Sequence, residues 1–243
     1  MYNIDRLLSP RADDFNVPQR SAFIADKKTQ LYGATLVALA AAAFFSAKLE
    51  LLTLKLIALA LLPLALYYCL VYFIRAMAGR LAKPVLISAV WCLTTVIVPL
   101  QSVFDHAALL YFSLARTLIF LSNVLWFEFR DVEGDVASGK PNPLVRFSPF
   151  QFALLQSVVL LAALGLVIVT VITTGHSWFF VDLLPLGFYL YLTLALQRAT
   201  GGPKNNRLRA DSMFKNEIVY SGLIDGALIL PSAFIFMLTV IAG

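Results

Sequence analysis

Apolar residues come in blocks of 17 to 26 that carry at most one or two charges each; residues 149–173, for instance, contain no Asp, Glu, Lys or Arg. A hydrocarbon core of about 30 Å takes roughly 20 helical residues to cross. Inside it every backbone N–H and C=O must be satisfied within the protein, which leaves helices as the natural conformation for such blocks. The composition points the same way, with 60% hydrophobic and 14% charged residues over 243 positions and a mean hydropathy of +0.82. Soluble domains carry about 25% charged residues. The expected fold class is therefore all-α integral membrane with about seven transmembrane helices, near 31–47, 51–74, 84–104, 107–127, 149–173, 177–197 and 216–241.

The chain divides into an N-terminal polar segment, 1–30, and a helical domain, 31–243, interrupted by the polar loop 128–148. Arg6, Arg11, Arg20, Lys27 and Lys28 in the first segment argue against a cleavable signal peptide. All the Lys and Arg residues except Lys48, Lys55 and Arg116 fall in segments that share one side if the N-terminus is inside. Cytoplasmic loops accumulate these cations, so the N-terminus and the loop 128–148 are expected to face the cytoplasm, with the protein in the plasma (inner) membrane. The net charge of +5 fits attraction to anionic membrane lipid. No basic run with interleaved aromatics suggests nucleic acid. Cys69 and Cys92 lie inside expected spans and read as packing residues without a disulfide. His106 and His176 stand apart from the acids and receive no role.

The chemistry-bearing residues cluster where the span 107–127 leaves the membrane. If its helix continues, Glu128, Asp131 and Asp135 fall within about 60° of one another on one face. Carboxylates repel there, and the helix dipole disfavours them near a C-terminus, so a cation is expected among them. Oxygen ligands of this type suit Mg2+, which completes its shell with water and phosphate oxygens. Gly134 and Gly139 would let the backbone turn beside the acids. Arg116 and Asn123, seven residues apart, continue the same side into the membrane. An arginine inside a span costs about 2.5–3.5 kcal/mol on insertion scales, so Arg116 should face a polar cavity or pair with another helix. Asp225, another intramembrane acid, is its candidate partner.

The string Arg130-Asp131-Val132-Glu133-Gly134-Asp135, followed by Gly139, resembles the second aspartate-rich motif of the UbiA superfamily of intramembrane prenyltransferases. That family's first motif has its best counterpart in Asp5 through Asp13, with Ser9 where the family has its middle aspartate; Asn142-Pro143-Leu144 likewise replaces the usual Thr-Leu-Pro. The resemblance implies the last seven helices of a nine-helix bundle, the first two being absent, supplied by a partner or lost to start-site assignment. It further implies Mg2+-dependent transfer of a prenyl group from an isoprenyl diphosphate donor to an aromatic or other lipophilic acceptor. Asp131, Asp135 and Lys83 would be catalytic, and Glu128, Asp131, Asp135, Asp5 and Asp13 would hold the metal. Asn123, Arg116, Arg130, Lys140, Tyr68 and Tyr72 would bind substrate, the two tyrosines lining the allyl pocket. The alternative is a catalytically degenerate or truncated membrane homologue acting as a scaffold. A transporter reading through Arg116 and Asp225 lacks an internal repeat or a pair of Gly/Pro-broken spans.

Overall fold

A computed structural model describes residues 22–23, 25–47, 82–100, 105–139, 142–175 and 177–200, and singly Leu54, Lys55, Ala58 and Leu62. Among the described residues the chain is all-helical, with no strand. Five helices account for it: α1 (Lys28–Ser46), α2 (Ala82–Cys92), α3 (His106–Ala137), α4 (Pro149–Thr174) and α5 (Leu183–Thr200). Among the described residues three helices are long and apolar enough to cross a membrane: α3, α4, and α5 with its lead-in, Phe179–Arg198. The apolar stretch Lys83–Ile97 is shorter. The expected spans 51–74 and 216–241 lie outside the described residues, apart from four single positions in the first.

The described chain forms two compact units. One contains α1 and the segment Asp131–Pro143; the other contains α2, α3 as far as Arg130, α4 and α5. Within the second unit α3 is the central element. It runs 32 residues, roughly 48 Å at 1.5 Å per residue, which exceeds the hydrocarbon thickness of about 30 Å. One end must therefore project, and its charges Glu128, Arg130, Asp131, Glu133 and Asp135 all lie in the last ten residues. The helix thus continues beyond the expected membrane exit. Asp105 starts it, its Oδ1 accepting from the Ala108 N–H at 2.8 Å, one of the donors left open at any helix start.

Side-chain contacts fix the directions. On α2, Cys92 Sγ donates to the Ser113 carbonyl at 3.1 Å and Lys83 reaches Glu128, so α2 runs antiparallel to α3. On α4, Trp126 meets Phe152 edge-on at 5.0 Å, four residues before Gln156 meets Ser122, another antiparallel pair. By contrast α5 is parallel to α3: Phe112 packs on Phe179 at 4.7 Å, and Asn123 bonds Tyr189 further along both chains. Cys92 is a free, buried thiol.

Local sequence sets the ends and the irregularities. The segment Leu93–Ile97 widens into a π-helix before Val98–Leu100 resumes the α form. Pro99 has no N–H to give to the carbonyl four residues back, and a π turn is one of the few ways a helix absorbs that loss. Thr94 and Thr95 hydroxyls occupy the upstream carbonyls of Val90 and Trp91, at 2.9 and 2.7 Å. Ser148 opens α4 with a reciprocal capping box to Gln151, and Pro149 follows where its missing N–H costs nothing. At the other end Gly175 takes φ 70°, and its N–H closes on the Val171 carbonyl at 2.9 Å. Gly139 also has φ 70°, so it makes the turn expected of it, whereas Gly134 stays inside α3. A side chain in the left-handed region costs about 1–2 kcal/mol. Gly175→Ala is accordingly expected to lower unfolding stability in detergent micelles by about 1 kcal/mol, measured as an earlier loss of helical circular dichroism on titration with denaturing detergent.

Candidate functional site

Two layers of polar contact join α3 to the α5 segment, spaced seven residues apart on both chains. In the first, Arg116 Nη2 lies 2.7 Å from Asp182 Oδ1, with the two side chains 5% and 0% exposed. Asp182 closes the 3-10 turn Ser177–Asp182 that leads into α5. The Arg116 guanidinium also lies 5.2 Å from the centre of the Phe112 ring, a distance at which the ring face attracts a cation. In the second layer Asn123 Nδ2 donates to Tyr189 Oη at 3.0 Å, and both residues are buried. Beside it, Ser122 Oγ donates to Gln156 Oε1 at 2.6 Å while Gln156 Nε2 returns to the Ser122 carbonyl at 3.1 Å. Interhelical hydrogen bonds of this kind contribute about 0.6 kcal/mol each, up to about 1.7.

Arg116 is paired with Asp182, a residue that was not expected as its partner. Asp225 itself lies outside the described residues, as do Asp5, Asp13, Tyr68, Tyr72 and Lys140. Arg116 and Asn123, expected to bind substrate, spend these contacts on helix packing.

Of the remaining candidates, Lys83 and Glu128 come together: Nζ sits 2.6 Å from Oε1, with Glu128 nearly covered and Lys83 41% exposed. The lysine expected near a diphosphate is thus bound to a carboxylate expected on a metal. A positive charge at that distance competes directly with a cation for the same oxygen. Arg130 stacks over the Phe127 ring at 5.0 Å, while Phe129 stacks on Phe152 at 4.1 Å and nearly parallel. The Phe129–Phe152 stack holds this turn of α3 against the start of α4.

Beyond Arg130, Asp131 is half-buried, and Asp135 Oδ2 accepts from Asn142 Nδ2 at 2.9 Å. The buried Asn142 occupies the stretch that departs from the expected motif, and it ties the loop back onto the second aspartate. Ser138 adds a bond from its hydroxyl to the Asp135 carbonyl at 3.1 Å. Among the described residues no group of three or more His, Cys, Asp or Glu side chains is placed to hold a metal ion. The helix explains this: Glu128 and Asp135 are two turns apart, roughly 10 Å along the axis, whereas Mg2+ needs its oxygens at about 2.0–2.1 Å. Acids from a single helix do not close such a shell without ligands from elsewhere.

Asp182, Tyr189, Gln156 and Asn142 were not among the expected site residues. Their signal in the sequence is a matched spacing, Arg116 to Asn123 and Asp182 to Tyr189, each of seven residues, which places polar groups at equal depth on two helices.

Among the described residues these features define an all-helical chain with three helices long and apolar enough to cross a membrane, joined by buried polar contacts. Comparison with family models, with curated proteins and with solved structures returns no match to this chain.

Removing one partner of a buried ion pair leaves an uncompensated charge and costs about 3–5 kcal/mol, whereas replacing both by apolar residues is often neutral. Arg116→Leu is expected to abolish a folded, monodisperse species in mild detergent. The Arg116→Leu, Asp182→Leu double variant should elute like the parent on size exclusion.

Proposed function

We propose that the chain is a UbiA-like intramembrane prenyltransferase that transfers a prenyl group from an isoprenyl diphosphate to an aromatic or other lipophilic acceptor. About seven helices would form the bundle, with the N-terminus and the acids in the cytoplasm. The observation that carries this reading is the projecting end of α3, where Glu128, Asp131 and Asp135 sit on successive turns of a helix longer than the hydrocarbon is thick. Carboxylates at the mouth of a membrane helix are suited to a hard cation shared with phosphate oxygens. Bound Mg2+ would neutralise charge on the departing diphosphate.

In this scheme Asp131 and Asp135 would hold the metal, and Glu128 and the N-terminal acids Asp5 and Asp13 would supply further oxygen ligands. Lys83, Arg130 and Lys140 add positive charge around the diphosphate oxygens. Lys83 is held 2.6 Å from Glu128, so it would leave that carboxylate as donor and metal enter. The allylic C–O bond breaks with its electron pair leaving on diphosphate. A new carbon–carbon bond would form to the acceptor ring, which would then lose its proton to the departed diphosphate. Tyr68 and Tyr72 would shield the allylic cation with their ring faces, and the surrounding hydrocarbon would exclude water from it.

A second reading, a catalytically silent membrane homologue acting as a scaffold, draws support from the same geometry. Glu128 is engaged by Lys83 and Asp135 by Asn142, contacts that also serve as structural ties.

Purified protein in lipid, given a panel of allylic diphosphates, separates the two readings. Transfer chemistry predicts diphosphate release that needs Mg2+, stops with chelator, and falls at least 100-fold in an Asp131→Ala, Asp135→Ala double variant. A folded parent that releases nothing with any donor, together with a lower melting temperature for Asn142→Ala, would sink the enzymatic reading in favour of the scaffold.

A further inference from the structure

Arg146 is exposed, lies just before the capping residue Ser148, and makes no ion pair or hydrogen bond among the described residues. Below it opens a groove of about 440 Å³, lined by Arg146, Phe147, Gln151, Leu154, Leu155 and Val158. Gln151, Leu154, Leu155 and Val158 follow the i, i+3, i+4, i+7 spacing that makes one face of a helix. Leu154 and Val158 are more than half exposed.

The depth of this groove follows from α4 itself. The helix has 26 residues and no charged side chain, a length of roughly 39 Å against about 30 Å of hydrocarbon. Its first turn therefore sits at headgroup level, and Arg146 sits there with it. Leu154, Leu155 and Val158 lie within the hydrocarbon, roughly 8–14 Å further along the axis. A cation at the headgroup level above an apolar trough matches one kind of molecule, with an anionic phosphate at one end and a hydrocarbon chain below it. Arginine is suited to that phosphate, since its planar fork donates two parallel hydrogen bonds.

We propose that this groove is a binding site for an anionic glycerophospholipid. The Arg146 guanidinium holds the lipid phosphate, and one acyl chain lies along Leu154, Leu155 and Val158. The site does not use the acid cluster, so it stands whether or not the chain transfers prenyl groups.

Native mass spectrometry of the purified protein in detergent, titrated with phosphatidylglycerol or phosphatidylcholine, tests it. The parent should retain phosphatidylglycerol in preference to phosphatidylcholine. Arg146→Gln should lose that preference by about fivefold, the effect of one Lys or Arg at an anionic membrane surface. Val158→Trp, at a position 59% exposed, should fill the trough and reduce retention of both lipids while the protein elutes like the parent on size exclusion. An unchanged lipid preference in Arg146→Gln overturns the proposal, and so does full retention in Val158→Trp, which would mean the cation attracts lipid with no seat for its chain. Displacement of the bound lipid by inorganic phosphate at equal concentration also overturns it, because the groove would then be a site for a free anion.

Discussion

The ion pair between Arg116 and Asp182 is the constraint around which the described core is arranged. A guanidinium in hydrocarbon is costly, so α3 is held inside the membrane only as long as a carboxylate of another segment meets it at the same depth. Asp182 does so from the 3-10 turn before α5, and this fixes where α5 begins, its direction parallel to α3, and its height. The Asn123–Tyr189 bond two turns on follows from that register. Buried ion pairs contribute less to stability than their charge suggests, because desolvation offsets the attraction. Here the contribution is to specificity: shifting α5 by a single turn would leave Arg116 and Asp182 both unpaired.

Around this pair the other contacts are graded by depth. Aromatic packing of Phe112 on Phe179 lies on one side of it, and the amide and hydroxyl contacts of Ser122, Asn123, Gln156 and Tyr189 lie on the other. At the projecting end, Lys83–Glu128 is partly open to solvent, where an ion pair holds little energy and exchanges readily. The described core thus has its most buried ion pair deep and its more accessible one at the projecting end.

The helices were legible in the sequence where length and hydropathy coincide. Residues 107–127 and 149–173 were expected as spans, and α3 and α4 cover them. The continuation of α3 past residue 127 enters the sequence reading only as an assumption, and the helix does run on to Ala137. The partner of Arg116 was not: both Asp182 and Asp225 sit in or beside apolar runs, and spacing along a chain does not say which helices are neighbours. The π turn was hidden because Pro99 announces a disturbance without naming its form. Asn142 enters the sequence reading only as part of the tripeptide that replaces Thr-Leu-Pro; its bond back across seven residues to Asp135 follows the left-handed turn at Gly139, which spacing alone does not show.

Arg116 and Asp182 are also separated in time. Asn123 and Tyr189 stand 66 positions apart, and the ion pair has the same separation. A ribosome adding about 5–20 residues per second takes roughly 3–13 s to cover it. For that interval the nascent α3 carries an arginine with no counter-charge, at a cost of about 2.5–3.5 kcal/mol in the bilayer. The pair therefore closes only after α5 has been made, and a ribosome stalled anywhere between them would leave Arg116 without the carboxylate that meets it in the folded chain.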